Sequence, residues 1–518
     1  MQARSNIVVH ALDRERARDL LALAAGGALP FAFAPFGWYP LAVIAPALVF
    51  IVWERTPPRR AFWRGWLFGL GMFGAGVSWV HESFQFSAVG PPLSVVLTVG
   101  LVGLLALYPA LVGAVDASLS RSRMPVPARQ RARLLLVLPA TWVLVEWFRG
   151  WFLTGFTWLQ LGYSQVDAPL GALLPVLGVY GVSAAVALSS GLVALAVRER
   201  GPARLGWISA LAALWLGAGL VQGVHWTTAA GDPLRVALVQ GNVSQDVKWL
   251  PEQREPTLER YLNLTRAHWQ ADLVVWPETA LPGFYGEFGP FLQRLAGEAR
   301  ARDTDLLIGV PVRTPRTGRY YNSVVALGAQ SSAYHKRHLV PFGEYLPLRR
   351  VLGGVVDLLA IPMSDFSAGP PKQPLLEVAG HKVGISICYE AAFASEIAEA
   401  LPAARLLVNV SNDAWFGDSI APHQNLEIAR VRARESGRYL LRATNTGISA
   451  VIGPQGAVEA RALQFRTAVL TSEVTPMRGR TPYVRLGDYP ALIGAVLALV
   501  AGVLLTRRPW VNGAKDER

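Results

Sequence analysis

The chain has 518 residues, 52% of them hydrophobic and only 16% charged, with a net charge of +13 and a mean hydropathy of +0.31. A soluble globular chain carries about 25% charged residues, so neither a wholly soluble nor a disordered protein fits. The single cysteine, Cys388, excludes an intrachain disulfide and any cysteine-rich metal site.

Apolar stretches long enough to cross about 30 Å of hydrocarbon lie near residues 20–37, 38–53, 61–80, 92–115, 132–148, 171–197, 205–223 and 489–506. These predict eight spans. Ala32-Phe33-Ala34 has the small-residue look of a signal-peptide cleavage site, but Pro35 and the next span follow at once, which favours a retained first span. Lys and Arg number twenty in the N-terminal arm, the 54–64, 121–133 and 198–204 loops and the C-terminal tail, against one, Arg149, in the opposite short loops. Basic loops stay inside, so both termini are expected in the cytoplasm of a bacterial inner membrane. The segment 225–488 would then lie in the periplasm. Residues 225–486 of it hold 28 basic and 24 acidic residues, so most of the positive charge is explained by topology and nucleic-acid binding is not indicated. The expected domains are 1–224 (spans one to seven), 225–488 (the soluble insert) and 489–518 (the last span and tail).

The insert alternates short Val- and Ile-rich runs with amphipathic helices. Strands are predicted at 234–240, 273–276, 306–312, 323–327, 383–387, 405–411, 447–453 and 468–474, and helices at 255–269, 289–302, 392–400 and 423–437. Such alternation is the signature of an α/β domain with helices covering the sheet faces.

Cys388 stands where the strand VGISI ends and Tyr389-Glu390 begins, and period-2 alternation puts it on the small-residue face with Gly384 and Ser386. A lone cysteine can be an inert buried thiol. A reactive one needs a base and a cation. Glu278, in ADLVVWPETA, ends another strand between Trp276-Pro277 and a turn, where apolar neighbours favour a general base. Lys336 lies in YHKRHLVPFGEYLP, and in a chain that uses Arg almost everywhere a Lys suggests a compact ammonium. Glu344, in the same string, could hold that ammonium or assist the base.

WPET, HKRHLVPFGEYLP and ISICYE, in this order, resemble the Glu–Lys–Cys triad of the nitrilase (carbon–nitrogen hydrolase) superfamily. Over nearly its whole length the chain further resembles the apolipoprotein N-acyltransferase family, through VQGNVSQDVKW (239–249), EWFRGWFLTGFTWLQLGYSQ (146–165) and NVSNDAWFGDS (409–419). The resemblance implies a multi-pass α-helical membrane domain joined to an α/β nitrilase-like αββα sandwich. It implies Glu278 as base, Lys336 as oxyanion stabiliser and Cys388 as nucleophile. Glu344 and Glu390 would be supporting acids, Tyr389 an oxyanion donor through its backbone N–H, and Trp249 a functional aromatic. Phe342, Tyr345, Trp415 and Phe416 would belong to loops around the site. The implied acyl donor is a phospholipid, phosphatidylethanolamine, and the acceptor a diacylated apolipoprotein; no cofactor, no metal and a monomeric enzyme are implied.

Independently of that resemblance, Val340-Pro-Phe342 and Ala414-Trp-Phe416 look like exposed apolar loops suited to acyl chains or a bilayer surface. Glu146 and Arg149, at the outer end of the fifth span, could meet a lipid phosphate or simply pair with one another. Two other classes remain open at this level. A membrane-anchored nitrilase-type amidase would hydrolyse its acyl-enzyme, and a transporter would use the insert as a binding domain. A thiol peptidase built on His338 or His423 is a further variant of the first, and His335 with His338 lacks a third metal ligand at recognised spacing.

Overall fold

The computed structural model describes residues 2–86, 89–119, 126–328, 331–345 and 365–507, with side chains from Arg14 onward except at Val126 and Arg507. The basic residues expected at 121–125 and in the tail beyond Arg507, and the end of the HKRHLVPFGEYLP string, lie outside the described residues. The chain divides into two compact units, one of Met1–Ser78, Val96–Gly223 and Asp488–Arg518, the other of Trp79–Val95 and Val224–Gly487.

The first unit is helical. By length and composition, four stretches among the described residues can cross a bilayer: Pro91–Leu119, Pro169–Arg198, Pro202–Leu220 and Tyr489–Thr506. The other expected spans also fall on helices, but less simply. Gln2–Ala28 starts well before residue 20 and ends where Pro30, Pro35 and Gly37 bring in a short 3-10 segment and a turn. Leu41–Val52 is apolar but short. Pro58–Gly76 begins among arginines, and the fifth stretch is a π-turn at Arg133–Val137 followed by Leu138–Arg149.

Small residues let these helices approach closely, as is usual where lipid removes the hydrophobic drive between helices. A Cβ on Gly26 would stand 1.9 Å from the Phe68 carbonyl oxygen. Charges inside the unit are paired. Arg64 donates to Asp19 at 3.1 Å and to Thr56 at 2.9 Å and also pairs with Glu15. Arg133 clamps Asp116 with Nε 2.9 and 2.8 Å from its two carboxylate oxygens and gives Nη2 to the Phe50 carbonyl at 3.0 Å.

In the second unit the strands are β1 (Thr227–Ala229), β2 (Leu234–Gln240), β3 (Leu273–Val275), β4 (Asp305–Arg313), β5 (Tyr320–Leu327), β6 (Ser332–His335), β7 (Leu376–Val378), β8 (His381–Ile387), β9 (Leu406–Ser411), β10 (Leu440–Thr444), β11 (Ala450–Ile452), β12 (Val458–Arg461), β13 (Ala468–Val474) and β14 (Met477–Gly479). Two six-stranded sheets, ordered β13-β2-β3-β4-β5-β6 and β12-β11-β10-β9-β8-β7, carry the domain, and β1 pairs with β14.

Side-chain alternation sorts the layers. Val236 and Leu238 of β2 meet Leu406, Val408 and Val410 of β9 in the core between the sheets. Ala237 and Val239 face the other way, onto Leu258 and Tyr261 of helix Pro251–Arg266 and Leu292 and Leu295 of helix Gly289–Arg300. Leu407, Leu440 and Ile452 pack outward against Leu426, Ala429 and Ala433 of helix Ala421–Ser436. The result is the expected αββα sandwich.

Candidate active site

The strand ends that face one another across the two sheets bring three sequence-distant residues together. Glu278 follows β3 in a turn tied to β4 by Trp276 N–H to Leu307 O and Ala280 N–H to Gly309 O, both 2.8 Å. This turn presses on β4 so closely that a Cβ on Gly309 would lie 2.1 Å from the Pro277 carbonyl oxygen, so only glycine fits. Lys336 follows β6 and is held by its N–H on Asn322 O and by Gly369 N–H on its own carbonyl, each 2.8 Å. Cys388 follows β8 directly, opening a 3-10 turn with a φ of +51°, a left-handed conformation that costs a residue with a side chain energy and recurs at functional positions. That turn also breaks the alternation expected from the sequence. Cys388 packs against the core between the sheets alongside Ile387, instead of continuing the Gly384–Ser386 face.

The charges are close and dry. Lys336 Nζ is 2.8 Å from Glu344 Oε1 and 3.6 Å from Glu278 Oε1, with Lys336 only 1% exposed. Glu278 Oε1 accepts from Asn322 Nδ2 at 2.7 Å, and Oε2 accepts from the Asn412 backbone N–H at 2.8 Å. Asn322 spans both carboxylates, since its Nδ2 is also 3.0 Å from Glu344 Oε1. Val340 N–H closes on Glu344 Oε2 at 2.8 Å. Burial works against the charge on Lys336, but Glu344, Glu278 and Cys388 outweigh it and hold the ammonium above its usual range. Burial, with the Glu278 charge second, pushes the Cys388 thiol up to about 12, against the pull of Lys336. Cys388 therefore rests as a thiol, although part of its surface stays accessible.

The charged groups that bear on Cys388 are Glu278, Lys336 and Asp413. The histidines considered for a peptidase or a metal are engaged elsewhere: His335 Nδ1 with Ser323 at 2.7 Å, and His338 Nδ1 with Glu396 at 2.8 Å and its ring on Phe393.

Two family descriptions match the chain: the apolipoprotein N-acyltransferase N-terminal domain over residues 25–192, and carbon-nitrogen hydrolase over residues 235–483. The apolipoprotein N-acyltransferase of Methylococcus capsulatus is 47% identical over 498 residues, covering 94% of this chain and 96% of that one. Those of Azotobacter vinelandii and Nitrosomonas europaea are 45% and 44% identical, covering 95% and 94% of this chain and 95% and 97% of theirs. The chain belongs to the apolipoprotein N-acyltransferase family.

Around the three central groups, this apolipoprotein N-acyltransferase family member places the remaining sequence candidates unevenly. Glu390, 1% exposed, accepts from the backbone N–H groups of Ile387, Arg337 and His338 at 2.7, 2.7 and 3.2 Å and from the Tyr334 hydroxyl at 3.1 Å. It staples the Lys336 segment to the Cys388 turn. Burial pushes its carboxyl up to about 7, against the pull of Lys336 and the backbone donors. Tyr389 is half-buried, edge-on to His338 and Phe393. Phe342 is 49% exposed at a φ of +61°, in a loop closed by its N–H on Tyr345 O at 2.8 Å. Trp249 is exposed at the end of the VQGN segment.

Two expectations need correction. Trp415 and Phe416 are half-buried, not free: Phe416 packs edge-on against Trp79 at 4.8 Å and Trp415 against Phe86 at 5.5 Å, with Trp79 Nε1 donating to Gln424 at 3.0 Å. Glu146 and Arg149 lie in the helical unit and are 4% and 2% exposed, buried rather than open at the end of the span. Glu146 Oε1 accepts from Leu161 N–H and Trp142 Nε1 at 2.9 and 3.0 Å, and Arg149 gives Nη1 to the Trp158 carbonyl at 2.5 Å. They fold a loop back onto the helix.

Three site residues had been missed in the sequence. Asn322 and Asn412 orient Glu278, and a buried amide inside the apolar run YYNSVVAL was the available signal for the first. Lys248, 2% exposed, is the third; burial pushes its amine down to about 8, against the pull of Glu278.

Proposed function

We propose that this protein transfers an acyl chain from a glycerophospholipid, through a thioester on Cys388, to the α-amine of the diacylglyceryl-cysteine that begins an apolipoprotein. The observation that carries the reading is the convergence of Glu278, Lys336 and Cys388 in a chain that matches apolipoprotein N-acyltransferases end to end. Glu278 takes the thiol proton as sulfur attacks an ester carbonyl. With one N–H of Lys336 on Glu344 and another directed at Glu278, the third can meet the oxyanion. Collapse of the tetrahedral intermediate breaks the ester C–O bond, and Glu278 returns its proton to the leaving lysophospholipid hydroxyl. The acceptor amine then attacks the thioester, a C–N bond forms, the C–S bond breaks, and the amine proton passes by way of Glu278 to sulfur.

Glu344 and Asn322 act by fixing the ammonium and the base, Glu390 by fixing the two segments. Aromatic residues Trp249, Phe342 and Tyr345 are suited to acyl chains, and a dry site favours amine over water. Phosphatidylethanolamine, through its sn-1 chain, is the proposed donor. The proposed setting is an eight-span inner-membrane protein with domains at 1–224, 225–488 and 489–518, both termini cytoplasmic and the catalytic domain periplasmic, acting as a monomer. A phosphatase fusion after residue 240 should be active and one within 121–133 inactive.

The decisive experiment exposes purified protein to phospholipid alone. Intact-mass analysis should show one acyl adduct on the Cys388 peptide, removed by neutral hydroxylamine and discharged to an amide by a diacylated peptide with a free N-terminus. Continuing release of free fatty acid without an adduct would mean an amidase-like hydrolase instead.

A further inference from the structure

The proposed base and nucleophile belong to different sheets. Glu278 follows β3 of one, Cys388 follows β8 of the other, and the core between the sheets is apolar. Apolar packing has no preferred direction, so directional contacts at the strand ends must set where the carboxylate stands. One of them crosses between the sheets to reach it: the Asn412 backbone N–H on Glu278 Oε2 at 2.8 Å. Asn412 is the first residue after β9, on the sheet that carries Cys388.

The Asn412 side chain is gripped at both ends. Its Oδ1 accepts from Asn445 Nδ2 at 3.1 Å, and its Nδ2 donates to Gln245 Oε1 at 3.0 Å. Asn445 is the first residue after β10, and its N–H continues the parallel ladder onto Ser411 O at 3.2 Å. Its side chain reaches across to the segment that follows β2. There Oδ1 accepts from Val243 N–H at 2.9 Å and Nδ2 donates to Val243 O at 2.7 Å, as a neighbouring strand would. Asn242 N–H closes on Asn445 O at 2.9 Å. A primary amide supplies one acceptor and two donors, whereas an ionised carboxylate has no donor and alanine has neither. Gln245, Asn412 and Asn445 are 8%, 5% and 1% exposed, so water hardly competes for these bonds.

We propose that Asn445 and Gln245 are positioning residues for the base: they fix the Asn412 side chain, and through it the backbone N–H that orients the Glu278 carboxylate. Neither touches the reacting atoms. Asn445 binds the sheets to one another at Val243, and Gln245 takes up the remaining end of the Asn412 amide. Without them the Asn412 peptide can turn, and Glu278 Oε2 loses its donor while Oε1 keeps Asn322. A misplacement of about 1 Å at a reacting group can cost about a hundredfold in rate. The segment held in this way ends in Trp249, so the same amides tie that exposed aromatic to the base.

This inference rests on Glu278 acting as base in the proposed reaction. Its test mixes the full-length protein with phosphatidylethanolamine under single-turnover conditions and follows the acyl adduct by intact mass. Rate constant and amplitude are then read separately. Asn445→Ala should lower the rate constant at saturating phospholipid about tenfold or more, because several buried polar groups lose partners at once. The half-saturating concentration and the amplitude per inserted protein should stay as in wild type. Gln245→Met, which removes one neutral acceptor at similar length, should lower the rate constant about fivefold. A wild-type rate constant with only a reduced amplitude means that the amides merely stabilise the fold, and overturns the proposal. Should Asn445→Ala fail to insert, Gln245→Met decides by the same criterion. If wild type releases fatty acid without an adduct, the acyl-transfer reading fails separately. The release rates of the variants then test the positioning, since hydrolysis would use the same base.

Discussion

Both units bury charge, but they bury it differently. In the helical unit the Arg133 guanidinium grips both carboxylate oxygens of Asp116 and also donates to a backbone carbonyl. In the α/β unit Lys336 serves two carboxylates at once, and a partly accessible thiol stands beside them. A neutralised pair sealed from solvent has nothing left to do chemically, and losing one partner strands the other. The Lys336 cluster sets two carboxylates against one ammonium, and under the proposed mechanism its balance changes as a proton moves. The first arrangement holds helices together; the second is poised to react.

The largest effects should separate these two roles. Cys388→Ala, Glu278→Gln and Lys336→Ala should each lower acyl transfer by roughly a thousandfold or more while leaving folded, membrane-inserted protein, and pairing two should cost little more than one. Measured turnover near wild type in any of them would remove that residue from the mechanism. Asp116→Ala should do the reverse, destabilising the helical unit by about 3–5 kcal/mol, read as lost inserted protein, with near-normal turnover in what survives. An intermediate effect is expected from Asn322→Ala, which leaves Glu278 and Glu344 without their shared donor: about tenfold in kcat with little change in melting temperature.

The smallest effect is a pH dependence. The Glu390 carboxyl is raised by burial from its ordinary range to about 7 in the fold. Folding therefore favours its protonated form, so its contribution is fully present below the unfolded carboxyl range and is lost as pH rises through about 7. The melting temperature of the α/β transition should fall by a few degrees between pH 5 and pH 8, and Glu390→Gln should flatten that slope. An unchanged slope in Glu390→Gln would assign the effect to another group.

Much of the α/β unit was legible beforehand. Runs LRVALVQ and AVLTSEV became β2 and β13 at their expected ends, because isolated Val-rich segments bounded by turn residues have few alternatives. Strand β10 was missed: LLRAT follows helix Ala421–Ser436 after a brief Gly437 turn and carries Arg442 where a core strand should be apolar. Among the spans, apolar length located helices, and four of them among the described residues are long and apolar enough to cross on that ground alone. Glu15 and Asp19 sit in helix Gln2–Ala28 and Arg60 and Arg64 in helix Pro58–Gly76, and their pairing is invisible to hydropathy.

Sequence alone was enough to single out Glu278, Lys336 and Cys388 as candidates, because strand ends, turn prolines and short motifs are local properties. Tertiary structure decided the rest. The left-handed turn at Cys388, Asn322 bridging two carboxylates and the backbone N–H of Asn412 on Glu278 each join segments far apart in the chain. The burial of Glu146, Arg149, Trp415 and Phe416 likewise depended on partners drawn from elsewhere. A residue type sets which bonds a group can make, but only the packed fold sets which partner arrives and whether water is excluded, and those two facts set charge state and role.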